Sequence, residues 1–328
     1  MEGMTLLGRL SIVGAPPPPP GTPSGELLRK SRAERTYPIV CRNLALPCDV
    51  SASILAAQLM ARHQAEEIAR EVEMIPLKGL HLAWKVYPSP ELRDMGDLDL
   101  LVRRSRVREA DGALRKLGYR PEVEPDRLDG SSLNAAVYWR DGGLPIHLHW
   151  HLSNASLPQF MVRMDLAEVW AEARGGTMAP HHLVVSLCEH ALKHSFSELI
   201  LLTDIEIASR GADWPRVADC ARRWGLDRAV LYALVLLRDL MGVESPGLEA
   251  LRARPLGGEG RLFLALARRR RWDGLSALGL LSMTSEKGRF VREALAPRRE
   301  ASEGFTSRTL GSRLRRAAGM VWRGLCRS

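Results

Sequence analysis

The sequence predicts an α+β protein in which a small sheet-containing head precedes a bundle of helices. Three observations lead there. Short apolar runs bounded by Gly, Pro and Asp, the mark of strands, are confined to residues 74–152. After about residue 158 the apolar positions recur every three or four residues instead, the spacing of helices with a buried face. At 328 residues, 45% hydrophobic and 26% charged, the chain can bury a substantial core in two packed units plus tails.

The elements follow in order. Residues 1–25 carry Pro16 to Pro20 and then Gly21, Pro23 and Gly25, which favours extended polyproline II and reads as a spacer or disordered leader. Ile54, Leu55, Leu59, Ala65 and Ile68 lie at helical spacing within 51–70, with Ser51 or Ser53 as a cap. Met74 to Leu77 is the first core strand, Gly79 to Val86 a short helix and Pro88-Ser-Pro90 a turn. Asp97 to Val102 is the second strand, and Ser105 to Leu117 a helix that Gly118 ends. Asn134 to Arg140 and Pro145 to Leu152 are strand-like and joined by Asp141-Gly-Gly143, a hairpin turn. Helical spacing then covers 161–172, 181–194, 199–208, 214–224 and 227–241, punctuated by Gly211, Gly225 and Gly242. The region 246–304 stays helical in composition, with Arg268 to Arg271 placed to complement the C-terminal dipole of a helix over 261–267. The resulting division is a leader (1–25), an α+β head (26–157), a helical domain (158–304) and a tail (305–328).

Charge and cysteine usage narrow the function. The net charge of +9 owes two thirds of its excess to residues 305–328, which hold six arginines and no acid, so it is not a nucleic-acid footprint of the core. In that tail Leu310, Leu314, Ala317, Val321, Trp322 and Leu325 recur at helical spacing among the arginines. Such a basic amphipathic helix can lie on an anionic membrane surface, dock on a partner or close the chain's own core. No apolar run approaches the roughly 20 residues of a bilayer span, so a cytoplasmic location is the default, with peripheral membrane contact as the tail's option. The five cysteines show no C-x-x-C spacing, which suggests neither a zinc knuckle nor a disulfide framework.

The chemistry concentrates in Ile75-Pro-Leu-Lys-Gly-Leu80 and Arg93-Asp-Met-Gly-Asp-Leu-Asp99. Side chains two apart on a strand share a face, so Asp97 and Asp99 project together. Adjacent carboxylates repel unless a cation sits between them, which makes the pair a candidate Mg²⁺ site shared with substrate phosphates. The alternative is a pair of solvated acids on an edge strand. Lys78-Gly79, at a junction of strand and helix, is a place where backbone N–H groups can meet a phosphate. Arg93 could neutralise charge there, or simply pair with Asp94 or Asp97. His147, His149 and His151 alternate on one strand face: a transition-metal arrangement, or a hydrogen-bonded structural His149 with an exposed His151. His190 and His194, four apart on one helix, have the spacing of a metal pair, though packing and capping explain it more often, while Asp204 among Ile200, Leu201, Leu202, Ile205 and Ile207 must find a partner, either by facing the cleft between head and bundle or in an arginine of the bundle.

Taken together, Lys78-Gly79, Arg93-x-x-x-Asp97-x-Asp99, Leu117-Gly-Tyr119, Ile146-His-Leu-His-Trp150 and the segment from Leu187 to His194 with Asp204 resemble the nucleotidyltransferase superfamily of DNA polymerase β. The similarity is greatest to its bacterial branch of uncharacterised nucleotidyltransferase-family proteins, over roughly residues 45–245. The resemblance implies a mixed sheet in the head and transfer of a nucleoside monophosphate from an NTP to an acceptor hydroxyl, with Mg²⁺ or Mn²⁺ at Asp97 and Asp99. It also implies nucleotide contacts from Lys78 and Gly79 and charge neutralisation by Lys78 or Arg93. The family's third carboxylate falls at His147, an imidazole that can ligate a metal or act as a base but suits transition metals better than Mg²⁺. That substitution keeps open a degenerate member that binds a nucleotide or partner without turnover. A helical adaptor using the leader and tail is the other rival. The acceptor, whether small molecule, sugar, peptide or protein, is not specified, and nucleic acid is the least favoured.

Overall fold

The computed structural model describes residues 2–22, 24–122, 134–153, 161–251, 256–269 and 276–290. The basic tail expected to be a helix over 305–328 lies outside the described residues. Among the described residues no helix is long and apolar enough to cross a membrane.

Four helices precede the sheet: α1 (Glu2–Leu10), α2 (Ser24–Ala33), α3 (Tyr37–Asn43) and α4 (Ser51–Ala69). Then come β1 (Ile75–Pro76), α5 (Lys78–Lys85), β2 (Leu98–Leu101), α6 (Val107–Lys116), β3 (Arg120–Pro121), β4 (Ala135–Trp139) and β5 (Ile146–His149). The remainder is helical: α7 (Leu166–Glu172), α8 (Pro180–Lys193), α9 (Leu199–Ala208), α10 (Trp214–Trp224), α11 (Asp227–Leu236), a π-helical turn (Leu237–Met241), α12 (Gly247–Leu251), α13 (Gly258–Arg269) and α14 (Ser276–Met283). The strands form one mixed sheet in the order β1-β2-β5-β4-β3. Only the central β2–β5 pair is parallel, with Asp99 opposite His147 and Leu101 opposite His149.

Period-two alternation gives this sheet two different faces. Leu98, Leu100, Ile146, Leu148, Ala136 and Tyr138 point to one side and join Ile68, Leu114, Tyr119 and Trp150 in an apolar core beneath α4 and α6. Asp99, His147 and His149 point to the other side. A second, larger core runs from Leu7, Leu10, Ile39 and Val40 through Ile75, Leu77, Leu82 and Leu101 into α8–α11 and α13. The head and the following helices therefore share apolar packing across the expected boundary near residue 158.

Two expectations need correction here. Residues 1–25 are not a spacer throughout: Glu2–Leu10 is helical, and Leu7, Leu10 and Val13 are buried. Its apolar spacing, too short to stand alone, succeeds because α1 lies against the π-helical turn. A Cβ on Gly8 would fall 1.9 Å from the Leu240 carbonyl oxygen, so only glycine permits that approach. The stretch Pro16–Pro20 does lack helix and strand.

The second correction concerns Arg93, which is not a phosphate-neutralising surface group and does not pair with Asp97. It is buried, and its Nε and Nη2 donate to both carboxylate oxygens of Asp204 on α9 at 2.8–3.1 Å. Tyr87 donates its hydroxyl to the same carboxylate at 2.7 Å, and Gln58 Nε2 donates to the Arg93 carbonyl at 2.6 Å. Burial would lower the guanidinium pKa, but Asp204 outweighs it, so Arg93 stays charged. Asp204 is thus paired not with an arginine of the bundle but with one of the head. Removing one member strands the other charge in the core, so Asp204→Ala should cost about 3–5 kcal/mol in urea unfolding. Arg93→Met with Asp204→Leu should cost less than the single variant. Equal losses would show that the pair's charge is not what matters.

Candidate functional site

The site grows from the turn between β1 and α5. Leu77 is extended and donates its backbone N–H to the Asp99 carbonyl at 2.9 Å, tying the turn to β2. Lys78 then takes φ +42°, a left-handed backbone that a non-glycine residue adopts at a cost of about 1 kcal/mol or more. The consequence is local chemistry: its Nζ donates to Asp99 Oδ1 at 3.0 Å. Gly79 follows because a Cβ there would press within 3.1 Å of the Met95 Cβ. Among the described residues no side chain caps the start of α5, so its first backbone N–H groups lack the usual capping partner beside this cluster.

Parallel pairing of β2 with β5 supplies the other half. His149 Nε2 lies 2.6 Å from Asp99 Oδ1, and His147 Nδ1 lies 3.5 Å from Asp97 Oδ2 and 4.0 Å from Asp99 Oδ1. Asp97 precedes β2 and is partly exposed at 43%, whereas the Asp99 side chain is 6% exposed. Burial alone would raise the Asp99 pKa, but the Lys78 ammonium and the His149 hydrogen bond outweigh it and hold the carboxyl well below the usual range. His149 itself is lowered by burial despite that bond. Asp99, His147 and His149 offer ligand atoms within 4.8 Å of one another, a group that could hold a metal ion.

Helix α8 faces this cluster. Leu77, Lys78, Glu189 and His190 line a small cavity of about 20 Å³. Burial, with Lys78 and His194 nearby, drives His190 well below the ordinary imidazole range, and burial with Lys193 and Lys78 lowers His194. Lys193 is lowered by burial and by Lys78, partly offset by Glu189. Glu189, 3% exposed and with Oε1 lacking a hydrogen-bond partner among the described residues, is pushed up to about 7 by burial. The site thus sets two aspartates and an imidazole against two lysines, a charge pattern suited to a cation together with a polyphosphate. A larger cavity of about 370 Å³ lies elsewhere, along α4 and α5 beside His81 and Trp84, and includes none of these acids.

The structure therefore brings together Lys78, Gly79, Asp97, Asp99 and His147, and it leaves Arg93 in the joint with Asp204. His149 does make the structural hydrogen bond expected of it. Its partner, though, is Asp99, which puts it inside the cluster. His190 and His194, which packing and capping account for more often than a metal pair, face this cluster together with Lys193, which the sequence alone does not single out. Their signal was the polar stripe at i, i+3 and i+4 on an otherwise apolar helix.

Glu189 gives a pH test of this geometry. Its folded pKa of about 7 exceeds the ordinary 4.5, so between those values the unfolded chain releases a proton that the folded chain keeps. Stability contributed by the neutral carboxyl is full below pH 4.5 and is lost as pH rises to about 7, on the order of 3 kcal/mol in total. Urea unfolding across this range should show that slope in the wild type and a flattened one in Glu189→Gln; parallel slopes would mean that Glu189 is solvated.

Among known proteins, the family model described as an uncharacterised nucleotidyltransferase matches residues 24–242. No curated protein and no solved structure matches the chain. The matched span holds Lys78, both aspartates on and before β2, the β5 imidazoles and the α8 residues that face them. With more than half of its length inside that model, the chain belongs to the uncharacterised nucleotidyltransferase family.

Proposed function

We propose that this protein transfers a nucleoside monophosphate from an NTP to an acceptor hydroxyl, releasing pyrophosphate, at the cluster of Lys78, Asp97, Asp99 and His147. The observation that carries the reading is the Asp99 carboxylate, kept ionised in a buried position with Asp97 and His147 at its open side. Carboxylates such as Asp97 and Asp99 are what Mg²⁺ or Mn²⁺ takes from a protein, while the ligand atoms lying within 4.8 Å of one another are those of Asp99, His147 and His149, whose imidazoles favour Mn²⁺ over Mg²⁺. Asp97 and Asp99 would hold the ion, with His147 beside them. A cation held there would supply positive charge against the triphosphate.

The chain's own groups do the rest by position. Lys78, with Lys193 across the cleft, supplies positive charge for the triphosphate, and the uncapped start of α5 offers backbone N–H groups to its oxygens. The acceptor oxygen attacks the α-phosphorus in line, forming the new O–P bond as the bond to the β-phosphate oxygen breaks. The hydroxyl proton passes to the His147 imidazole, which stands where the family's third carboxylate does. His149 holds Asp99 in place and is a positioning residue.

The test is a survey of the four NTPs with Mg²⁺ or Mn²⁺, read as pyrophosphate release and as labelled product on protein and small-molecule acceptors. Asp97→Asn changes a partly exposed side chain and should reduce release by at least about 100-fold while leaving the melting temperature nearly unchanged. Asp99→Asn should lose activity and stability together, because Lys78 is left facing an uncharged amide. Unchanged nucleotide turnover in Asp97→Asn would overturn the site assignment. His147→Asp restores a hard oxygen ligand and should shift the metal preference toward Mg²⁺; the same metal profile as wild type would place His147 outside the site.

A further inference from the structure

A second group of ligands lies away from this cluster, where α7 meets the beginning of α8. Glu168 and Glu172 stand four residues apart on α7 and so share one face. Pro180 opens α8, and His181 and His182 occupy its first turn, directed at those carboxylates. His181 Nε2 lies 3.4 Å from Glu172 Oε2, and His182 Nε2 lies 3.8 Å from Glu168 Oε1. One ligand atom from each of the four residues falls within 4.8 Å of all the others.

Proximity of acids and imidazoles is common and would not suffice. The telling observation is His182, whose side chain is 0% exposed and whose two ring nitrogens both lack a hydrogen-bond partner among the described residues. A buried imidazole with neither nitrogen satisfied needs an explanation, since most such groups find a protein or water partner. Its plane is fixed by stacking on Trp224, with ring centroids 5.1 Å apart and only 10° between planes. That packing leaves Nε2 as the edge toward Glu168.

We propose that Glu168, Glu172, His181 and His182 form a structural site for a divalent transition metal, with zinc the ion their chemistry selects. Zinc takes nitrogen and carboxylate oxygen at about 2.0–2.1 Å in a tetrahedron, which sets neighbouring ligand atoms roughly 3.3–3.4 Å apart. The His181–Glu172 separation already has that length and the His182–Glu168 separation needs only a small closure. Two imidazoles disfavour Mg²⁺ and Ca²⁺, which take oxygen.

The carboxylates are not idle without the ion. Arg223 donates to both oxygens of Glu168 at 2.7–2.8 Å, and Arg216 donates to Glu172 Oε2 at 2.9 Å. An ionised carboxylate has about four lone-pair positions, so each can keep its arginine and still ligate. These arginines then act as the outer partners that orient metal ligands, and they extend the cross-link from α7 and α8 to α10. The ion would anchor the first turn of α8, whose last turn carries Lys193 into the proposed transfer site. The inference does not depend on that site being active.

The experiment uses the full chain, stripped of metal with a chelator and carrying His147→Ala so that the Asp99 cluster cannot compete. Zinc titration should show one equivalent bound and a melting temperature raised by about 5 °C. Cobalt in its place should give the intense visible bands of tetrahedral coordination. Glu172→Gln with His181→Gln should lower zinc affinity beyond the ~10–100-fold that loss of an outer partner costs, and abolish the cobalt bands. Should that pair fail to fold, Glu172→Gln alone, at a side chain 31% exposed, carries the same test. Absence of stoichiometric zinc in the His147→Ala protein, or undiminished affinity in the Glu172 variant, would overturn the proposal.

Discussion

Much of this molecule is organised around keeping one buried carboxylate charged. Asp99 sits in the middle of β2 with almost no solvent, a place where an isolated ion would take up a proton instead. Its charge is kept by Lys78 on one side and His149 on the other, and each partner requires something of the backbone. Lys78 reaches it from a left-handed turn at the start of α5. His149 reaches it because β5 runs parallel to β2, a pairing that hairpin connections do not produce and that here demands the long excursion through α6, β3 and β4.

The same electrostatic solution recurs where the head meets the helices. Arg93 and Asp204 are each too buried to stand alone, and together with the Tyr87 hydroxyl they form a satisfied network. Around them Leu77, Leu82, Leu92 and Leu101 from the head pack with Ile200, Ile205 and their neighbours. Asp204 belongs to α9, which packs against α8, the helix whose Glu189 and His190 line a cavity with Lys78. Arg93, expected to neutralise phosphate charge, instead lies in this joint.

Burial also divides the ionisable groups into two kinds. Among those near Asp99, burial lowers His149 and His190 and pushes Glu189 up to about 7, so of these three Glu189 is the group brought near neutral pH. The many exposed pairs, such as Arg62 with Glu66 or Arg106 with Glu109, contribute little to stability and mark no site.

What the sequence determined by itself was whatever depends on neighbours along the chain. The alternation in 135–149 and the Asp141-Gly-Gly143 turn specify the hairpin, and the helical spacing of 199–208 and 214–224 gives α9 and α10 with the bounds observed. The pair Asp97 and Asp99 with Lys78-Gly79 marked the cluster. By contrast, α1 and β3 were illegible, because a nine-residue helix is too short to hold alone and a two-residue strand carries no stable local signal; they pack on the π-helical turn and on β4. The tertiary structure alone decided that Arg93 belongs to Asp204, 111 positions away, that His149 serves Asp99, and that α8 closes over the site. The physical reason is common to all three: a buried charge is satisfied by whichever opposite group the fold brings within hydrogen-bond reach, and that choice is made in space, not along the chain.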